Sequence, residues 1–144
     1  MSEATVLNRA LNQVLAGLYI NGQWRSGNEP LLVINPATEE RLATVAGGDY
    51  DAVDLAVHAA SAALSGWSTT PATERAKILR SIASGVAARR EVLVQLQSSN
   101  NGKPGFEAAI DVDDVIATFE YYAGLADQLD AQQNRPVDLP SDEF

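Results

Sequence analysis

The sequence predicts a mainly α-helical chain carrying a small antiparallel β-sheet near its start, and three observations carry that expectation. Short β-prone runs punctuated by turn residues occupy the first third. Longer stretches follow in which apolar residues recur at helix spacing, and Gly or Pro interrupts the pattern between them.

Taken in order, Met1–Ala16 places Leu7, Leu11, Val14 and Leu15 at helical spacing and reads as a short amphipathic helix on an N-terminal extension, residues 1–17. Leu18–Trp24, Leu31–Ile34 and Arg41–Val45 are strand candidates, separated by Asn21-Gly22 and Ser26-Gly27-Asn28. Asp49 is placed to cap a helix running to about Leu64, with Asp51 and Asp54 near the positive end of its dipole, and Gly66 is read as its stop. Pro71 suits a first helical turn. Ile78, Leu79, Ile82 and Val86 follow at helix spacing, with a bend at Arg89-Arg90-Glu91 before Val92, Leu93 and Leu96. Asn101-Gly102 and Pro104 end that segment. A third long helix is expected from about Phe106 to Leu129, and Gln132–Phe144, with Pro136 and Pro140, reads as extended chain.

Composition excludes several chemistries. The 144 residues contain no cysteine, so a thiol nucleophile, a disulfide and a thiolate metal site are all out of reach. The one histidine, His58, gives no His pair for a metal and no Ser-His-Asp arrangement; on its Ala-rich segment it reads as an ordinary helix residue. Neither GxGxxG nor GxxxxGK[ST] occurs. The net charge of −9 argues against nucleic acid, and no apolar run approaches the ~20 residues that span a bilayer, so the sequence reading is a cytoplasmic protein. The acidity is local: Phe106–Phe144 holds ten acids and only Arg135, whereas Met1–Gly105 is balanced.

The third helix resolves residue by residue at about 100° per position. With Asp111 as origin, Val115, Phe119, Tyr122, Ala126 and Leu129 fall within roughly 80° of it and form the expected buried stripe. Asp113, Glu120 and Asp127 recur every seven residues on the other side and read as a solvated face. Asp111 and Asp114 project on or beside the apolar stripe, where an unpaired carboxylate is costly to desolvate. The residues alone leave two readings open for that pair: stabilisation of the helix N-terminus with a nearby Lys or Arg, or a partner protein's basic surface. Tyr121 and Tyr122 could face an alkylammonium group; core packing is the plainer role for Tyr122. Trp24 and Trp67 read as packing residues.

Asn100–Pro104 (NNGKP), Glu107–Val115 and Phe119–Ala123, with Leu18–Trp24, the Ile34-Asn35-Pro36-Ala37-Thr38-Glu39 turn and Ala72-Thr73-Glu74-Arg75, resemble in order the aldehyde dehydrogenase superfamily, most closely its betaine-aldehyde and aminoaldehyde branch. The resemblance runs from about Leu18 to Phe144. It implies an α/β family fold of which residues 18–144 are the N-terminal part of a cofactor-binding domain, ending before the dinucleotide and catalytic motifs. The implied reaction of the parent is NAD- or NADP-dependent oxidation of an aldehyde to the acid, with the small-molecule aldehyde as partner, and no cofactor is expected on this chain alone. In that branch, aspartates matching Asp111 and Asp114 line the substrate entrance, where Tyr122 would join them. Some relatives hold a monovalent cation between the backbone near Ile34 and an acidic side chain at the position of Asn100, which here is neutral. A reading of another class is a short helical interaction module or the product of a truncated gene. Stripes meant for later sequence would leave apolar surface exposed, so the isolated chain is expected to self-associate.

With no thiol to attack a carbonyl, the purified 144-residue chain is expected to leave NAD and NADP unreduced in the presence of betaine aldehyde or 3-aminopropanal. Turnover above the protein-free blank in an absorbance assay would overturn this.

Overall fold

The computed structural model describes residues 17–132, so the amphipathic reading of Met1–Ala16 and the extended reading after Gln132 lie outside the described residues. Two antiparallel hairpins precede four helices. Strands β1 (Leu18–Ile20) and β2 (Gln23–Arg25) form the first hairpin, and β3 (Glu29–Ile34) and β4 (Arg41–Gly47) the second. The helices are α1 (Tyr50–Ser68), α2 (Ala72–Ala87), α3 (Arg90–Asn101) and α4 (Gly105–Gln132). The mainly helical expectation holds, with the single sheet divided into two hairpins and the three helices becoming four.

Local chemistry explains each boundary. Asn21 at φ 53° and Gly22 at φ 74° make the two-residue turn that folds Leu18–Trp24 into a hairpin, pairing Tyr19 with Trp24. Asp49 caps α1 by accepting the Ala52 N–H at 2.9 Å, and its other oxygen takes the Asn28 side-chain amide, tying the β2–β3 connection to the helix. Gly66 does not end α1. The helix continues to Ser68, where the Thr69 hydroxyl takes the Ser65 and Gly66 carbonyls at 3.2 and 3.1 Å, Thr70 Oγ1 takes Gly66 O at 3.0 Å, and Pro71 forbids continuation.

The bend expected at Arg89–Glu91 is a full break. Ala88 still donates to Ser84 O, but Arg89, at φ −116° and ψ 12°, leaves the helical region, and its guanidinium takes the Gly85 carbonyl at 3.1 Å. Gly102 closes α3 in the left-handed region at φ 77°, donating to Ser98 O at 2.9 Å.

The core is a seam of small residues. Ala72, Ala76 and Ala83 of α2 meet Ala108, Val112 and Ala123 of α4, and Ala76, Ala108 and Ala123 are 0 % exposed. The two helices run antiparallel, since Arg80 of α2 pairs with Asp127 of α4, while Arg90, the first residue of α3 just beyond the end of α2, pairs with Asp113 nearer the start of α4. This corrects two sequence expectations. On α2 the inward face is Ala72, Ala76, Leu79, Ala83 and Val86, leaving Ile78 and Ile82 exposed. On α4 the inward stripe is Ala108, Val112, Ile116, Phe119, Ala123 and Ala126, turned by about one position from the expected one, so Val115, Tyr122 and Leu129 face outward. The inward positions are mostly alanine, whose small Cβ lets two backbones approach closely.

Around this seam much apolar surface stays open. No residue of α1 is buried, and Val53, Val57, Leu64 and Trp67 are all exposed on it. A helix apolar on several sides is ordinarily covered by other protein.

Because Ala76 has no free space, Ala76→Leu should destabilise the chain by about 1–3 kcal/mol, while Ala62→Leu on the exposed surface of α1 should change stability by under about 0.5 kcal/mol. Urea denaturation followed by circular dichroism checks the contrast; equal effects would place the core elsewhere.

Candidate functional site

The NNGKP segment is the α3–α4 connection, and it is held from three sides. The Ser98 hydroxyl donates to Lys103 O at 2.7 Å, and Asn101 Oδ1 accepts the Lys103 N–H at 2.9 Å. Gly102 lies against the β3–β4 turn, where an added Cβ would sit 3.1 Å from Pro36 Cγ. That turn is itself fixed by Asn35, whose Oδ1 accepts the Ala37 N–H at 2.9 Å and whose N–H donates to Glu40 O at 2.9 Å. The two segments that carry the strongest sequence resemblance are thereby brought into contact.

Beyond the turn, the β3–β4 hairpin lies over α3 and α4 and leaves an open cleft of about 540 Å³. Its walls are apolar, among them Val33, Leu93, Leu96, Val112 and Val115, and Gln97 and Asn100 are its polar residues.

Asp111 sits nearly two turns into α4 and is half-buried. Lys103 Nζ and Gln97 Nε2 both donate to its Oδ2, so the carboxylate links the α3–α4 connection, α3 and α4. These hydrogen bonds, that from Lys103 foremost, hold Asp111 below the ordinary carboxylate value of 3.8 against the opposing effect of burial. The cation that the sequence reading wanted near this carboxylate is therefore Lys103.

Asp114 differs. It is exposed, and among the described residues it has no ion-pair partner. Asp113 and Asp127, expected on a solvated face, are interhelical anchors instead: Arg90 Nε and Nη2 donate to the two oxygens of Asp113 at 2.7 and 2.8 Å, and Arg80 bonds Asp127. The forked pair lowers Asp113 and raises Arg90 from their ordinary values, the hydrogen bonds being the larger cause in each. Only Glu120 of the three stands without an ion pair among the described residues, and its charge helps raise Arg80.

Tyr121 and Tyr122 stack edge to face with centroids 5.4 Å apart, and Tyr122 is 56 % exposed rather than packed in the core. Eight residues separate it from Asp114, about 12 Å along the helix axis. The arrangement is a surface strip with one open carboxylate at one end and two tyrosines at the other. His58 is an exposed helix residue whose Nδ1 bonds Asp54 O at 2.7 Å.

For a monovalent cation, the fit is poor. Ile34 and Asn100 lie on the two segments that Gly102 and Pro36 join, yet Asn100 offers a neutral amide. No group of three or more His, Cys, Asp or Glu among the described residues is placed to hold a metal. Nor does the sequence contain a glycine-rich loop to cradle a dinucleotide. The residues sequence reasoning missed are Lys103, Gln97, Arg90 and Arg80; the balance of basic residues in α2 and α3 against acids in α4 was the available signal.

Residues 24–143 match the model of the aldehyde dehydrogenase family. The chain belongs to that family. It is 44% identical over 137 residues to the peroxisomal aminoaldehyde dehydrogenase 1 of Malus domestica, an alignment taking in 88% of this chain and 27% of the relative. Chloroplastic betaine aldehyde dehydrogenase of Beta vulgaris is 39% identical over 137 residues, with the same coverage. The crystal structure of betaine aldehyde dehydrogenase from Staphylococcus aureus in complex with NAD+ superposes with a TM-score of 0.84 at 31% identity, over 94% of this chain and 27% of that one. The chain thus spans about a quarter of the length of the relatives it matches. The family match leaves the interaction-module reading without support. No helix among the described residues is long and apolar enough to cross a membrane, and the compartments named for these relatives are the peroxisome and the chloroplast rather than the expected cytoplasm.

The depressed Asp111 and Asp113 values set an acid limit. A carboxylate whose folded value lies below its unfolded one contributes stability above about pH 4, and that contribution is lost as pH falls through the folded value. Thermal melts of the wild-type chain should therefore show a stability loss that begins near 3.8 and continues below it. In Asp111→Asn/Asp113→Asn that acid-side slope should shrink. Identical slopes in the two proteins would show that other carboxylates govern acid unfolding.

Proposed function

We propose that these residues are the amino-terminal part of a nicotinamide-dependent aldehyde dehydrogenase acting on aldehydes that carry an amino or quaternary ammonium end. They serve its substrate entrance and not its chemistry. The observation that carries the reading is the open carboxylate of Asp114 on the exposed strip of α4, beside the lysine-held Asp111, in a segment 44% identical to an aminoaldehyde dehydrogenase.

The division of labour follows from the residues present. Nicotinamide, when bound, accepts a hydride; neither its cradle nor a thiolate nucleophile is formed by this sequence. What the chain can supply is electrostatic selection. An unpaired carboxylate attracts a substrate's cationic end and leaves the uncharged carbonyl end free to travel inward. Tyr121 and Tyr122, farther along the same helix, present aromatic faces to an alkylammonium passing along the strip. Asp111, braced by Lys103 and Gln97, holds the loop beside this entrance.

A graft tests the proposal. Residues 18–132 replace the corresponding segment of the Staphylococcus aureus betaine aldehyde dehydrogenase, whose backbone they match, and kcat/KM is measured for an aminoaldehyde and for an uncharged aldehyde of equal length. Asp114→Asn in the graft should lower kcat/KM for the aminoaldehyde by about tenfold, roughly 1.4 kcal/mol, with little effect on the uncharged substrate. Equal losses on both substrates would show that the residue serves helix stability alone.

A further inference from the structure

We propose that Asn21, at the tip of the first hairpin, is a site of spontaneous deamidation and isoaspartate formation, whereas Asn101, the other Asn-Gly position, is protected by the fold. The sequence contains these two Asn-Gly pairs, so the chain carries its own internal comparison. The chemistry needs three things: a backbone N–H free to lose its proton, space around that nitrogen, and a side-chain amide free to swing over it. In the reaction the Gly22 nitrogen attacks the Asn21 side-chain carbonyl carbon. A C–N bond closes a five-membered imide and ammonia leaves. Water then adds to either imide carbonyl and opens the ring, giving aspartate or isoaspartate, with no change of oxidation state.

At Asn21 all three conditions are met. Both residues are exposed, and among the described residues no hydrogen bond engages the Gly22 N–H or the Asn21 amide. The nearest atom to a Cβ built at Gly22 is the Tyr19 hydroxyl at 4.0 Å, so the space on that side of the residue is open. Attack also requires the Asn21 backbone to leave its left-handed turn conformation. The hairpin has strands of only three residues, and such two-stranded units open at small cost.

At Asn101 each condition fails. The Gly102 N–H is spent on Ser98 O at 2.9 Å, and Asn101 Oδ1 is held by the Lys103 N–H at 2.9 Å. Pro36 closes over Gly102 from the other side. Rotation there would undo the cap of α3 and the contact between two segments, a far larger opening.

Isoaspartate at position 21 would route the main chain through the side-chain methylene and lengthen a two-residue turn. The register that sets Tyr19 against Trp24, with ring centroids 5.0 Å apart, could not persist.

The test uses the purified 144-residue chain, incubated in mildly alkaline buffer and sampled over days by peptide mapping with isoaspartate detection. Aspartate and isoaspartate should accumulate at position 21 several-fold faster than at position 101, and Asn21→Gln should abolish the conversion there. In concentrated urea the two positions should convert at nearly equal rates, since protection comes from the fold. Equal rates in the native chain, faster conversion at Asn101, or conversion at neither position would each overturn the proposal.

Discussion

The close approach of α2 and α4 is the constraint on which the rest of the molecule depends. Alanines at 72, 76, 83, 108 and 123 remove the side-chain bulk that would hold two helices apart, and what the seam gains in proximity it gives up in buried area. Among the described residues the core has no fully buried large side chain. Orientation around so slender a seam is set by charge: Arg80–Asp127 joins α2 to α4, and the forked Arg90–Asp113 pair joins the start of α3, just past the end of α2, to α4. Exposed pairs of this kind contribute little stability, so their role here is register.

That register places the carboxylates of α4. Asp111 lies where α3, α4 and their connection meet, and its hydrogen bonds to Lys103 and Gln97 turn a potential binding group into a brace. Asp114, three residues on, is left outside the brace. The same helix therefore presents two carboxylates of similar sequence setting and opposite circumstance, one neutralised from within and one open to solvent.

How much of this was legible in the sequence depends on range. Contacts within a few residues were readable: the Asp49 cap, the Asn21-Gly22 turn and the Gly102 stop are all local chemistry and appear as expected. Gly66 misled because a glycine in a helical conformation is tolerated, and the stop belonged to two threonine hydroxyls and Pro71. The inward face of α4 was turned by one position because alanine is ambiguous between core and surface until the opposing helix is known. The ion pairs were invisible for a related reason: Arg80 and Asp127 are 47 residues apart, and Arg90 and Asp113 are 23 apart, so periodicity on one helix made the acids look solvated.

Gly102 carries a consequence that reaches beyond capping. Its missing side chain is required twice, once by a left-handed backbone and once by the Pro36 ring seated against it. The early turn and the loop bearing Lys103 are therefore a single mechanical part, although distant in sequence. The shape of the ring at position 36 sets the seat of that loop, and through it the lysine that occupies Asp111. The charge balance around Asp111 can thus drift in evolution through a turn that lies far from it in sequence.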